Sequence, residues 1–188
     1  MDKVWNLVAD IGGTNARFSA LVDGQLESEF QYLHSVEEYP KFEDLICILL
    51  QEIASETGWN NPPARVCFAV ACPADTEIIA FTNSHWTFTK TSLKKDLGCE
   101  YLSIINDFEA VAHGITELEA TDLVQVGGLK PAKNKAMGIL GAGTGLGVAG
   151  LLPYEGGYHV LDTEGGHADY SPISCLLYTS DAADDLLC

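Results

Sequence analysis

The sequence DIGGTN at residues 10–15 lies between two strand patterns and restricts the folds open to this chain. Residues 3–9 form an apolar strand pattern, and residues 16–22 alternate between apolar and polar side chains as a second strand does. The glycine pair is therefore predicted to lie in a β-turn-β hairpin. A P-loop and a Rossmann dinucleotide turn both need glycines that open a helix, and the sequence contains neither string.

This first hairpin predicts an anion site. Its backbone amides and the side chains of Thr14 and Asn15 can face an anion, and Asp10 at the end of the first strand can hold Mg²⁺ through water. The alternative is an ordinary tight turn in which glycine supplies a positive φ.

A second pattern of strand, glycine turn and strand occurs later in the chain. Residues 135–140 and 148–152 are typical strands, and residues 141–147 between them read GAGTGLG. This run does not satisfy GxGxxG, because positions 146 and 148 hold leucine and valine. We therefore predict a second phosphate hairpin that faces the first, with Thr144 as its side-chain donor.

Residues 104–108 (IINDF) end a buried strand at an amide beside a carboxylate. A helix is predicted from there to about Leu118, so Asn106 and Asp107 lie where parallel sheets bind ligands. One interpretation is a helix N-cap, since Asn and Asp are favoured capping residues. The other is a general base, Asp107, with Asn106 orienting a hydroxyl substrate. The five residues alone leave both interpretations open.

Further elements follow from periodicity and from turn residues. Helices are predicted at residues 40–57, with one apolar face and Gly58 as its stop, and at residues 89–98, with Thr89 or Thr91 as its cap. The remaining predicted strands are residues 27–33, 65–71, 77–81, 101–105 and 158–161.

Two polar segments complete the candidate ligand residues. Residues 82–86 (TNSHW) combine amide, hydroxyl, imidazole and indole groups, a mixture suited to sugar-like ligands, although a turn around a packed Trp86 is the alternative. Residues 164–167 (EGGH) allow Glu164 and His167 to converge on one polar ligand. A metal site is disfavoured there, because one Glu and one His are too few ligands.

Composition narrows the class of protein. A net charge of −17 argues against nucleic acid or an anionic membrane as partner, but backbone amides and Mg²⁺ can still hold a nucleotide. The absence of a membrane-length apolar run and of a signal-peptide pattern predicts a cytoplasmic protein. Six cysteines without CxxC spacing predict reduced thiols and no zinc site, with Cys67 and Cys72 buried.

Taken in order, the two glycine hairpins, the Asn106–Asp107 pair and the EGGH segment make the chain resemble the bacterial glucokinases. These are ATP-dependent sugar kinases of the hexokinase and actin-like superfamily. The resemblance runs from about residue 3 to about residue 174. It implies an α/β fold of two ribonuclease H-like lobes with the active site in the cleft between them. Residues 1–113 would form the small lobe, and residues 114–174 would begin an incomplete large lobe.

The resemblance also implies roles for individual residues. Asp107 would be the base that deprotonates the 6-hydroxyl of glucose, ATP with Mg²⁺ would be the phosphoryl donor, and the protein would be a possible homodimer. The implied sugar ligands are Asn83, Asn106, Asp107, Glu164 and His167. The implied phosphate-binding residues are Asp10, Ile11, Gly12, Gly13, Thr14, Asn15, Gly143, Thr144 and Gly145. Open alternatives are a kinase of another hexose and a sugar-binding regulator or inactive fragment on the same fold.

The sequence departs from the family at its end. Family chains continue with more of the large lobe, an adenosine-binding glycine motif and another sugar-binding glutamate. Residues 175–188 can instead be encoded by a transposase sequencing adapter read in frame, and we predict that they are a non-native tail. The large lobe and the adenine pocket are therefore expected to be incomplete, and this chain alone is expected to be a weak or inactive kinase.

Overall fold

A computed structural model describes residues 3–22, 25–81, 84–128, 132, 134–142, 145–163 and 165–167. Within these ranges the strands are β1 (Trp5–Ile11), β2 (Asn15–Val22), β3 (Gln25–Ser35), β4 (Arg65–Val70), β5 (Ile78–Ala80), β6 (Thr87–Thr89), β7 (Tyr101–Asn106), β8 (Met137–Ala142), β9 (Leu146–Tyr154) and β10 (Gly157–Thr163). The α-helices are α1 (Phe42–Thr57), α2 (Lys90–Leu97) and α3 (Asp107–Ile115).

The larger sheet has five strands in the order β3-β2-β1-β4-β7. β1, β2 and β3 are antiparallel neighbours, as the hairpin predicted at residues 10–15 requires for β1 and β2, whereas β4 is parallel to both β1 and β7. α1 lies between β3 and β4 in the chain, and α2 precedes β7, so each parallel strand is reached through a helix. This mixed α/β sheet agrees with the ribonuclease H-like plan that the resemblance implied.

The smaller sheet repeats the first half of that plan. Its three strands lie in the order β10-β9-β8, and both pairs are antiparallel. They correspond to β3-β2-β1 of the larger sheet. Within the described ranges no strand pairs with the other edge of β8, where the counterpart of β4 would lie. The described part of this second sheet thus holds only the counterparts of β1, β2 and β3.

The main core lies between the larger sheet and α1. The helix buries its apolar residues at helical spacing, namely Phe42, Leu45, Ile46, Leu49 and Ile53. Each contributes about 1.5–3 kcal/mol relative to an exposed side chain. The sheet contributes Leu7 and Ile11 from β1, Phe18 from β2 and Phe68 from β4. Gly58 ends the helix with φ 74°, as predicted.

α3 connects the five-stranded sheet and the three-stranded sheet. It contacts β4 and β7 on one side and β9 and β10 on the other. Ala112 is fully buried in a small second core with Ile139, Ala149 and Leu151. The helix ends at Ile115, short of the predicted Leu118. Gly114 is a poor helix former, and the Thr116 hydroxyl donates to the carbonyl oxygen of His113 over 2.7 Å, which closes the last turn.

The cysteine prediction is only partly right. Cys72 is buried with 4% of its surface exposed, whereas Cys67 is half-buried. Burial raises the pKa of the Cys67 thiol, the Glu109 carboxylate raises it further, and a hydrogen bond with Ser103 opposes the shift. No group of three metal-ligating side chains occurs among the described residues, and none of the described helices is long and apolar enough to cross a membrane.

Tyr32 makes the stability of this sheet sensitive to alkaline pH. It is buried on β3, and its hydroxyl donates to Glu56 of α1 over 2.8 Å. Burial, this hydrogen bond and the charges of Glu56 and Glu52 raise the pKa of Tyr32 well above its usual value of about 10. The protonated Tyr32 hydroxyl contributes fully to the free energy of unfolding below the ordinary tyrosine pKa. Above that pKa the unfolded state releases the proton and the folded state keeps it, so the contribution is lost as pH rises toward the higher folded-state pKa.

We therefore expect the free energy of unfolding to fall above about pH 10. In Tyr32→Phe it should fall less steeply with pH, because up to one fewer proton is released on unfolding. Denaturant titrations between pH 8 and pH 11.5 measure the slope. Tyr101→Phe, at a tyrosine that is 55% exposed, is the control and should keep the parent slope. Equal slopes for Tyr32→Phe and the parent chain would contradict the assignment.

Candidate functional site

The parallel strands bring the first hairpin and the Asn106–Asp107 pair to one edge of the larger sheet. Ile11 at the end of β1 pairs with Val70 of β4, and Val70 pairs with Asn106 of β7. Ile11 and Asn106 therefore lie level with each other and two strand spacings apart, which is about 10 Å. An anion at the hairpin and a hydroxyl at Asp107 would be near neighbours.

The first hairpin is closed by backbone hydrogen bonds. The Gly12 amide donates to the Asn15 carbonyl oxygen over 2.9 Å, and the Thr14 carbonyl oxygen accepts from the Val36 amide over 2.9 Å. Gly12 and Gly13 are not among the glycines with positive φ, so the turn is tight but a positive φ is not the reason for these two glycines. Because the Gly12 amide is engaged inside the turn, the predicted anion contacts would fall to the amides of Gly13 and the residues after it.

Asp10 lies beside an arginine that the sequence analysis did not single out. Asp10 and Arg17 are cross-strand partners in the β1–β2 ladder, and Arg17 Nη1 lies 3.2 Å from Asp10 Oδ2. Both side chains are more than half exposed. The alternation of β2 could have revealed Arg17, because it lies two residues after Asn15 on the same face.

Asn106 and Asp107 start α3. Asn106 Oδ1 accepts from the Phe108 amide over 2.9 Å, and Asp107 Oδ1 accepts from the same amide over 2.9 Å. The N-cap interpretation is thus confirmed for Asn106. It does not compete with the role of base, because the cap is supplied by the amide of Asn106 while the carboxylate of Asp107 lies beside it at the sheet edge.

Phe108 fixes the start of α3 against the second hairpin. Gly141 of β8 and Gly147 of β9 are direct cross-strand partners, and the Phe108 ring lies over both. A Cβ atom at either position would overlap the ring. These two glycines therefore serve close packing. Phe108, which the sequence analysis did not mark as a site residue, ties the position of Asp107 to the base of the second hairpin.

Residues Gly165–His167 form a short 3₁₀ turn against the start of β9. The Gly165 amide donates to Thr163 Oγ1 over 2.7 Å, and a Cβ atom on Gly166 would overlap the Leu146 carbonyl. Only glycine allows this approach, which brings the Gly165–His167 backbone beside the start of β9. Glu164, Gly143, Thr144 and Asn83 lie outside the described residues, as does the side chain of His167. Gly145 is described and precedes β9.

Both sheets begin with the same three antiparallel strands, and each contains a glycine hairpin. Together with the Asp107 carboxylate after β7, these features define the class of protein. It is a sugar-kinase fold of the hexokinase and actin-like superfamily. The glucokinase family profile matches residues 7–177. The chain belongs to the glucokinase family.

Individual relatives agree with this assignment. The chain is 40% identical to a glucokinase of Tolumonas auensis over 170 residues, which are 89% of this chain and 50% of that protein. It is similar to the crystal structure of a glucokinase from an Antarctic psychrotroph, with TM-score 0.74, 28% identity and coverage of 94% of this chain and 54% of that one. The fold also matches the glucose complex of Balamuthia mandrillaris glucokinase, with TM-score 0.72, 23% identity and coverage of 96% and 54%. This chain thus spans about half the length of its relatives.

Proposed function

We propose that the full-length protein containing this chain transfers the γ-phosphoryl group of ATP to the 6-hydroxyl of glucose. The observation that carries the proposal is the register that places Asp107 at the same sheet edge as the first glycine hairpin, in a chain of the glucokinase family. Phosphoryl transfer mainly requires that donor and acceptor be positioned and that charge be stabilised. A carboxylate next to an anion-binding hairpin supplies both.

Asp107 would accept the proton of the sugar 6-hydroxyl as that oxygen attacks the γ-phosphorus. Asn106 would hold the hydroxyl or its neighbour while it caps α3. The remaining proposed sugar ligands are Asn83, Glu164 and His167. A site that hydrogen-bonds several hydroxyls rejects analogues that lack them, so this set would select a hexose. The glucose bound in the Balamuthia relative supports this choice of ligand.

The two hairpins would bind the phosphates of ATP from opposite sides. In the first hairpin the donors would be the backbone of residues 10–15 and the side chains of Thr14 and Asn15; in the second they would come from Gly143, Thr144 and Gly145. Mg²⁺ keeps most of its waters and uses one or two carboxylates, and the exposed carboxylate of Asp10 fits such a water-mediated contact. We place the enzyme in the cytoplasm, where its substrates occur.

This chain alone is expected to turn over slowly or not at all, because the adenine pocket would lie in the missing half. The smaller sheet also exposes apolar side chains that a complete lobe would cover, namely Leu140 (71%), Leu152 (46%) and Leu161 (50%). We expect the 188-residue chain to be prone to aggregation for the same reason.

The test starts with the gene, which should be read past the codon of Ser174 by a method without a transposon step. An open frame that continues is expected, and its purified product should phosphorylate glucose with ATP in a coupled assay. Mannose and fructose, run in parallel, decide between glucose and another hexose. A continuing frame whose product phosphorylates no hexose would refute the proposal, and so would a natural stop after Cys188. Normal turnover by the 188-residue chain would refute the expectation that the missing half is needed.

A further inference from the structure

Residues 34–39, called the 34–39 segment below, join the first hairpin to residues 84–86. At one end the Val36 amide donates to the Thr14 carbonyl oxygen over 2.9 Å. At the other end the Tyr39 carbonyl oxygen accepts two hydrogen bonds, from His85 Nε2 and from Trp86 Nε1, each of 2.9 Å. Both lone pairs of that carbonyl are thereby used. One short stretch of backbone therefore contacts both the first hairpin and residues 84–86.

The side chain of Tyr39 is itself held in place by His34. The Tyr39 hydroxyl lies 3.0 Å from His34 Nδ1, and the two rings meet edge to face with centroids 5.6 Å apart. Burial and the charges of Glu52 and Glu38 raise the pKa of Tyr39, so the hydroxyl keeps its proton and hydrogen-bonds with Nδ1. His34 Nε2 lies 3.0 Å from Glu52 Oε2, a close contact outside hydrogen-bonding geometry.

Trp86, which donates to the Tyr39 carbonyl oxygen, is packed tightly against its neighbours at the end of the loop after Phe81. The indole is 1% exposed, and its ring lies 5.1 Å from that of Phe42 and 6.3 Å from that of Phe81. The backbone of the loop is closed by the Phe81 amide, which donates to the Trp86 carbonyl oxygen over 3.3 Å. Residues 84–86 directly follow Asn83 in the sequence, so a displaced indole would displace the chain that adjoins Asn83.

We propose that the 34–39 segment fixes residues 84–86 relative to the first glycine hairpin, and that Tyr39 is the positioning residue. The inference rests on the proposed function, in which Asn83 binds the sugar and the hairpin binds phosphate. In-line transfer needs donor and acceptor in one fixed geometry. Tyr39 therefore acts on hexose binding through Trp86 and His85 and touches neither substrate.

Indole hydrogen exchange, measured on the soluble monomeric fraction of the 188-residue chain, tests this link between Tyr39 and Trp86 directly. The chain has three tryptophans, so selective ¹⁵N labelling gives three indole signals. The Trp5 indole donates to the Asn61 carbonyl oxygen over 3.1 Å, outside the segment, and serves as the reference in the same spectrum. Tyr39→Phe removes the hydrogen bond between the Tyr39 hydroxyl and His34. It should accelerate exchange of the Trp86 indole proton about twofold to tenfold relative to Trp5, which corresponds to the net stabilisation of one hydrogen bond. Tyr32→Phe, below pH 9, is the matched control, because it loses a 2.8 Å tyrosine hydroxyl bond elsewhere on β3, to Glu56, and should leave the ratio unchanged.

Hexose affinity tests the consequence in the full-length protein. Tyr39→Phe should weaken glucose binding about twofold to tenfold, while Tyr32→Phe binds as the parent does. If the ratio of Trp86 to Trp5 exchange were unchanged in Tyr39→Phe, the link between Tyr39 and Trp86 would be overturned. If the ratio changed but the glucose affinity stayed at the parent value, the role of Tyr39 in positioning the sugar ligands would be overturned. If the parent protein binds no hexose, the proposed function itself fails, and the exchange measurement still decides whether the link exists.

The hairpin end of the segment has its own pair of variants. Ser35 has φ −80° and ψ 132°, which suits a residue before proline, and Val36 is the first residue of a 3₁₀ turn. Val36→Pro therefore removes the donor to Thr14 with little change in backbone, and Val36→Ala keeps that donor while removing the buried side chain. Val36→Pro should raise the KM for ATP about twofold to tenfold above that of Val36→Ala. Equal KM values would overturn the link to the hairpin.

Discussion

Asp107→Asn in the full-length protein is expected to lower kcat by about 10²- to 10⁴-fold, the usual contribution of a general base. The KM for glucose should change much less, because an amide still hydrogen-bonds a hydroxyl. The substitution is well suited to this position. Asp107 Oδ1 accepts from the Phe108 amide at 2.9 Å, and the oxygen of an asparagine amide can make the same bond. Asn106 also remains as the cap of α3.

Glu109→Gln is the matched control for the base. It removes a carboxylate from the same first turn of α3, two residues further along the helix. Steady-state kinetics with glucose and ATP should give a kcat within a few-fold of the parent value. If Asp107→Asn kept the parent kcat, or if Glu109→Gln lost as much, Asp107 would not be the base. A parallel measurement of the free energy of unfolding separates lost catalysis from lost folding.

The sequence predicted the part of the fold that rests on local pattern. The apolar face of α1, the left-handed stop at Gly58 and the Thr89 cap of α2 all depend on residues close in the chain, and all three are found. The repeated strand, glycine turn and strand pattern likewise predicted both antiparallel hairpins. Each of these signals is local, so a single sequence carries it.

The details that the sequence missed depend on contacts between distant residues. The reason for the glycines at 141 and 147 is the Phe108 ring, which is more than 30 residues away in the chain. Similarly, the Tyr39 carbonyl meets Trp86 across 47 residues. No spacing rule reports such a contact. The pairing of Asp10 with Arg17 is the exception, because strand alternation and a hairpin register could have predicted it.

Gly147→Ala is expected to destabilise the full-length protein by about 1–3 kcal/mol, the usual cost of an added methyl group in a packed site. The new Cβ would overlap the Phe108 ring, and we expect the shift of that ring to displace the first turn of α3. Asp107 immediately precedes Phe108, so kcat should fall as well as stability. Denaturant unfolding and steady-state kinetics on the same preparation measure both effects.

Two further variants distinguish this steric clash from a general destabilising effect of glycine-to-alanine substitution in the sheet. Gly138 lies in β8 of the same sheet with nothing within 4 Å of a new Cβ, so Gly138→Ala should change stability by less than about 0.5 kcal/mol. Phe108→Leu combined with Gly147→Ala should recover part of the lost stability, because a smaller side chain leaves room for the methyl group, and the two changes should be non-additive. If Gly147→Ala behaved like Gly138→Ala, the Phe108 ring would not hold α3 against the second hairpin. A rescue of stability without a rescue of kcat would show that the aromatic ring itself, and not only a filled space, sets the position of Asp107.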